Sequence, residues 1–503
     1  MKFAIAIKTC CLILGASILA RAQTTTVDNG SYRVETIALP KGLTGETGGV
    51  TFMPDGRLVA CFIRGEVMTY EPKSKQWKIF ATGLHEPLGI MAVSNSEVIV
   101  MQRPELTRIK DTDGDGVADL YENLADGFGL SRNYHEFAYG PVKDKEGNLY
   151  ISLNTASPGG KVAAEIRGKY NPLGRDMKPG VYEMYSVVPY RGWVMKVTPD
   201  GKLVPFASGF RSPNGLGFNQ YGDLFVNDNQ SDWVETSAMY HVREGRFYGH
   251  PGSLVWKKDW NRGTPYQLPI PALDSLRTKA AILFPQGIMA NSPSQPICDT
   301  TGGKFGPFAG QMLLGEMNRD RIVRVMLEKV GGEYQGACIP FLDGHGLRKG
   351  NNRLTFAPDG SLWIGQIAFG WSGDLGIQHI VFNGETPMDV QNMNLTRTGF
   401  DLTFTQPLDA KLAVDPANYK FRHYYYKYRR KDVNEGADKS EQMDLQEVPV
   451  KSIKLSSDRK KVSVVLPALK AGYVYELKLG NITNAKGLPV ANKLICYTLN
   501  KLK

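Results

Sequence analysis

Five segments of the chain repeat one degenerate phrase, and no other feature constrains the fold as strongly: "FMPDGRLVA" from Phe52, "KDKEGNLYIS" from Lys143, "VTPDGKLVPF" from Val197, "FNQYGDLFVN" from Phe218 and "FAPDGSLWIG" from Phe356. Each puts a glycine in a short polar turn ahead of a strand that alternates apolar and polar residues, the signal of a β-hairpin. Partner segments of the same kind lie between the copies, among them Pro87 to Gln102 and Gly310 to Glu328. A single hairpin cannot bury its apolar face. Stacked radially as four-stranded sheets, such hairpins form a β-propeller, which also hides the strand edges. The spacing predicts six blades over residues 43–385, with long insertions in the third and fourth around Ser157 to Arg191 and Trp233 to Ser294. Insertions on one face of a propeller usually build its binding face.

After Pro387 the pattern changes to alternating strands without the repeated phrase, over a length that suits an immunoglobulin-like sandwich. The expected fold class is therefore all-β: a six-bladed β-propeller followed by a C-terminal immunoglobulin-like β-sandwich over 388–503, the latter a structural or docking module. The 54 glycines and 29 prolines among 503 residues agree with a turn-rich β chain. Residues 1–22 combine Lys2 and Lys8, an apolar run from Cys10 to Leu19, and Ala20 and Ala22 before Gln23. That is the pattern of a secretory signal peptide, so a periplasmic or secreted product is expected. No other segment is apolar for long enough to span a membrane.

Loss of Lys2, Lys8 and Arg21 would lower the formal charge from +10 to +7, mildly basic for this length. The run "KFRHYYYKYRRK" (420–431) interleaves aromatics with cations, but reads better as a twisted strand with a solvated basic face than as a nucleic-acid surface. Nucleic acid is not expected as a partner. Four cysteines follow the leader, Cys61, Cys298, Cys338 and Cys496, and their spacing leaves all three pairings open; no CxxC or CxxCH occurs.

One motif points to a metal. "DTDGDGVADLYE" (Asp111 to Glu122) fits the twelve-residue calcium loop. Carboxylates of Asp111, Asp113 and Asp115, the carbonyl of Val117, Asp119 and a bidentate Glu122 would supply hard oxygen ligands, while Gly116 permits the turn. A loop that spends every ligand on the ion has no open position for substrate, so structural Ca²⁺ is expected here.

The chemistry is expected elsewhere. His135, in "SRNYHEFAYGP", precedes the inner strands of a blade, where a histidine could abstract a proton near neutral pH. "SGFRSPNGLGFN" sets Arg211 and Asn214 at the equivalent place in the next blade, suited to polarising a carbonyl or holding an anion. Asp228 and Asn229 follow in the strand after it.

These segments, with "GDLFVNDNQ" and "GRFYGHP", resemble the soluble glucose and sorbosone dehydrogenases, six-bladed propellers that bind pyrroloquinoline quinone (PQQ) and calcium. "QRPELTRIKDTDGDGVADLYE", "VNDNQSDWVETS" and "GGKFGPFAGQMLLGE" resemble secreted propellers described as membrane-bound or sorbosone-type dehydrogenases, which frequently carry a haem c domain that this sequence lacks. The resemblance implies His135 as the base for a sugar hydroxyl, Arg211 beside the quinone, and Asn214, Asp228, Asn229, Arg319 and Arg353 around the cofactor. It also implies a separate electron acceptor such as a cytochrome c. The sequence departs from that pattern where lysine and arginine neutralise the quinone's carboxylates. Asn318 stands at the lysine position, with Arg319, Arg321 or Arg348 as substitutes, and Arg353 falls about one residue out of register. Three functions remain in play: a PQQ-dependent oxidoreductase acting on a sugar or sugar-derived alcohol; a carbohydrate-binding or scaffold propeller using Trp233 and Trp371; and a calcium-assisted glycan lyase or hydrolase holding an axial ion through Asp228 or Glu316.

Overall fold

The computed structural model describes residues 25–178, 183–230, 232–369, 373–429 and 441–503; the leader segment 1–22 and Trp371 lie outside them. All five copies of the repeated phrase fold into one and the same turn. In the first, Met53 N–H donates to Arg57 O at 2.8 Å and Gly56 N–H to Met53 O at 2.9 Å. The same pair of bonds recurs about Asp144 and Gly147, Thr198 and Gly201, Asn219 and Gly222, and Ala357 and Gly360. Each glycine has positive φ, 91° at Gly56 and 93° at Gly360. That left-handed position closes the hairpin and explains why glycine recurs in the phrase.

The five copies fall in four of six antiparallel blade sheets, two of them in the third, while the second and fifth are built from strands without the phrase. Five open on the inner strands Thr47–Phe52, Ile90–Ala92, Ala138–Lys143, Pro213–Phe218 and Pro293–Cys298, and the sixth on Asn351–Phe356. Each inner strand packs on the next, and Asn351–Phe356 packs back on Thr47–Phe52, which closes the ring. Where inner strands converge, side chains have no room: a Cβ on Gly89 would lie 1.7 Å from Gly140 O.

Packing between blades follows the period of the strand. In Leu58–Phe62, Val59 and Cys61 join the apolar cluster shared with the second blade, while Leu58, Ala60 and Phe62 join the one shared with the sixth. A strand buried on both faces reads as an unbroken apolar run, which is the sequence observed.

Two features differ from the expectation. The sixth blade takes its outer strand from the N-terminal side, Tyr32–Ile37 pairing with Gly376–Phe382, so the propeller begins before residue 43. The insertion in the fourth blade runs from the end of Ser237–His241 to Ile282–Phe284, and the Trp233 indole is 1% exposed within the core.

The C-terminal segment is not a separate layer. Leu494–Leu499 pairs with Glu333–Phe341, the outer strand of the fifth blade, with Cys338 opposite Cys496, so one sheet of eight strands runs from the propeller axis outward. A four-stranded sheet faces it, and the core between them includes Met326 and Ile339 of the blade. The basic run is a strand, Tyr419–Tyr425, whose Arg422 pairs with buried Glu476 at 2.7 Å; the part beyond Arg429 lies outside the described residues until Glu441.

Candidate active site

A chamber of about 750 Å³ opens at one end of the propeller axis, within the range of small-molecule sites. His135, Arg211, Asn214 and Asn229 all line it, together with Ser212, Asn154, Asn318 and the rings of Tyr134, Phe137, Tyr139 and Phe369.

His135 lies between two blades, and its bonds define its protonation. Nδ1 is 2.8 Å from Thr155 O, which can only accept, so Nδ1 carries the proton. Nε2 therefore presents its lone pair, 3.1 Å from Ser212 Oγ, whose hydroxyl donates to it. Burial first, and then the Arg211 guanidinium, hold the imidazole down to about 3, so it is neutral through the ordinary pH range. A neutral imidazole with a fixed tautomer and an Nε2 lone pair on the chamber side offers a ligand hydroxyl a hydrogen-bond acceptor. A ligand hydroxyl that displaced Ser212 would meet it directly.

Arg211 and His135 meet on the same hydroxyl, since Arg211 Nη1 donates to Ser212 Oγ at 3.0 Å. The guanidinium is held by Asp232, Nε to Oδ1 at 2.9 Å, and by Asn229 O. Despite its burial, the charge of Arg211 keeps the Asp232 carboxyl well below its usual range; the Nε2 of fully buried His250 stands 3.6 Å from it. Sequence reasoning missed Ser212, Asp232 and His250. The position of Ser212 next to Arg211, of Asp232 in the "NDNQSDW" segment and of His250 in "GRFYGHP" offered a signal.

Asp228 does not line the chamber. It lies beneath it, its carboxylate accepting the backbone N–H groups of Arg211 and Ser212 at 2.6–3.2 Å, and burial pushes it up to about 7. Its task is to hold the turn that carries Arg211. Glu316 does the same for the turn before Asn318, accepting N–H from Asn291, Ser292 and Asn318. Both carboxylates are committed to backbone donors, which removes the axial ion they were expected to hold.

Arg353 and Arg319 are also corrected. Arg353 is 3% exposed below the chamber floor, bonded to Leu88 O, Asn214 Oδ1 and Asn352, with Tyr139 against its guanidinium. Arg319 turns to Gly287 O at 2.6 Å. Neither presents a charge to the chamber. A PQQ molecule carries three carboxylates, and burying them requires cations. Among the described lining residues only Arg211 is cationic, and Asp232 already balances it. The residues present do not fit PQQ, and no chemical step is assigned through it.

The acidic dodecamer lies in the outermost hairpin of the second blade, between Leu106–Lys110 and Leu120–Ala125. Carboxylate oxygens of Asp111, Asp113 and Asp115 come within 4.8 Å of one another. The other expected ligands are turned elsewhere: Asp119 accepts from Thr112 N and Oγ1, and Glu122 pairs with Arg108 at 2.8 Å. The Val117 side chain is exposed, and its N–H donates to Asp115. The structure thus gathers three of the five expected carboxylates, in a hairpin that does not line the chamber.

The family DUF7133, a domain of unknown function, matches residues 72–367. No curated protein matches the chain. Many solved structures are similar to it, three of which follow. An oxidoreductase described as a glucose dehydrogenase from Thermus thermophilus shares 18% identity over 70% of this chain and 100% of its own, with a TM-score of 0.47. The PQQ-bound aldose sugar dehydrogenase of Streptomyces coelicolor shares 15% over 70% and 98%, at 0.43. The PQQ domain of a pyranose dehydrogenase from Coprinopsis cinerea shares 12% over 71% and 97%, at 0.48.

Proposed function

We propose a function for a chain that belongs to DUF7133: a dehydrogenase-like propeller that takes a sugar or sugar-derived alcohol into its axial chamber and delivers one hydroxyl to His135. The observation that carries this reading is the fixed tautomer, with Nδ1–H on Thr155 O and the Nε2 lone pair toward the chamber, one hydroxyl already bound to it. The substrate hydroxyl replaces Ser212, His135 Nε2 accepts its proton, and Arg211, held by Asp232, stabilises the developing alkoxide. The carbinol carbon then loses its hydride and becomes a carbonyl as an uncharged quinone, supplied as a second substrate, takes the hydride and is reduced to the quinol. A cytochrome c would serve as the final electron carrier. The leader pattern supports a periplasmic or secreted location for this work, and among the described residues no helix is long and apolar enough to cross a membrane.

A second reading, a carbohydrate-binding propeller without turnover, is favoured by Asn318 in place of the lysine. Its stacking platform would be Tyr134, 59% exposed at the chamber, since Trp233 is buried. The 388–503 segment, read as immunoglobulin-like, would then serve as a brace or docking module. Calcium on Asp111, Asp113 and Asp115 would pin the outer hairpin of the second blade.

Dye reduction over a panel of aldoses, alditols and glycosides, with and without added PQQ and calcium, tests the oxidoreductase. Turnover that falls by at least about 100-fold in His135→Gln supports it. Turnover indifferent to that change sinks His135 as the base, and binding without turnover on any panel member leaves the second reading.

A further inference from the structure

Three asparagines that line the chamber, Asn154, Asn229 and Asn318, each hold a buried amide oxygen, Oδ1, that has no hydrogen-bond partner among the described residues. Asn154 is 2% exposed and Asn229 9%. The Asn229 amide is oriented, because its Nδ2 donates to Ser292 Oγ at 2.8 Å and so leaves the oxygen as the free end. A buried amide oxygen without a donor is unfavourable, because it has given up water for nothing. Three in one chamber, two of them at least nine-tenths buried, describe a site waiting for donors.

The chamber's charge points the same way. Among the described lining residues one is cationic, Arg211, and it is paired with Asp232 at 2.9 Å. Asn318 stands where the resemblance calls for a lysine, and the neighbouring guanidiniums are bonded to protein groups, Arg319 to Gly287 O and Arg353 to Asn214 and Leu88. A carboxylate can only accept hydrogen bonds. Set against unpartnered amide oxygens, it would face acceptor with acceptor and lack a countercharge.

We infer that this chamber is a subsite for an uncharged hydroxyl-rich ligand, whose O–H groups donate to Asn154, Asn229 and Asn318. This deepens the proposed function and rests on its assignment of the chamber as the ligand site. It does not depend on His135 acting as a base. The tilted pair Phe137 and Phe369, 4.8 Å between centroids, adds apolar surface for the C–H face of a sugar ring.

The test pairs charge on the ligand with charge on the protein. Calorimetric titration of the full chain with PQQ in excess calcium should show no saturable heat up to about 100 µM, and an array of neutral and uronic-acid glycans should give its hits among the neutral ones. Asn318→Lys, at a partly exposed position, should weaken the best neutral hit by at least about tenfold and bring in PQQ or uronate binding. Asn154→Ala with Asn229→Ala should weaken the neutral hit without moving PQQ. Low-micromolar PQQ binding by the unmodified chain, hits confined to acidic glycans, or an array without neutral hits would each overturn the subsite. If the base assignment alone were wrong, His135→Gln would keep full turnover while these binding results held.

Discussion

At the scale of single residues, the chemistry rests on how four side chains are bonded. The His135 imidazole is depressed to about 3 from 6.5 in an unfolded chain, so between those values the unfolded state binds a proton that the folded state refuses. Stability from this residue is complete above about 6.5 and is lost as pH falls toward 3. His135→Gln removes the titration, so its unfolding midpoint should fall less steeply than the parent's between pH 6 and 4, as followed by thermal melts. The pH profile of turnover should likewise show no limb near 6.5 from His135, because that group is already neutral there. Asp232→Asn tests the other half of the site. It leaves the Arg211 guanidinium, 16% exposed, without its countercharge, at a cost on the order of 3 kcal/mol in stability. His135 was legible because it stands in a loop ahead of inner strands. Ser212 was not, since a serine carries no spacing signal, and Arg353 and Glu122 were misjudged because residue type says nothing about the direction a side chain takes.

At the scale of elements, the repeated hairpin was legible because five sequences meet one geometric demand, a glycine at positive φ that closes the same two hydrogen bonds. The N-terminal strand Tyr32–Ile37 was not, because it brings no hairpin of its own and finds its partner more than 300 residues later. Gly89→Ala tests the convergence of inner strands: its Cβ would meet Gly140 O, and the variant should melt well below the parent or fail to fold. The acidic hairpin makes a second prediction at this scale. If calcium fills it, chelator should lower the melting temperature, and Asp113→Ala, which removes one of the three gathered carboxylates, should start from the lowered value and respond no further. Equal response of parent and variant would show that the chelated ion sits elsewhere.

At the scale of the whole molecule, the chain is one continuous construction. The β character of the segment after residue 387 was legible from its alternation, but its pairing with the fifth blade was not, because an edge pairing between Glu333–Phe341 and Leu494–Leu499 leaves no local trace. The core of that sandwich includes side chains of the blade, so the propeller cut after residue 387 would expose an apolar face and an open edge. Such a truncated chain should aggregate or melt far lower, and the full chain should unfold in one calorimetric transition; two transitions would show independent domains. The central claim is the axial chamber as a sugar site with His135 as its proton acceptor. A crystal structure of the protein soaked with its best neutral glycan tests it most directly. The account predicts a sugar on the axis with one hydroxyl oxygen about 3 Å from His135 Nε2, in place of the Ser212 hydroxyl. A sugar bound elsewhere, with the Ser212 bond to His135 intact, would contradict it.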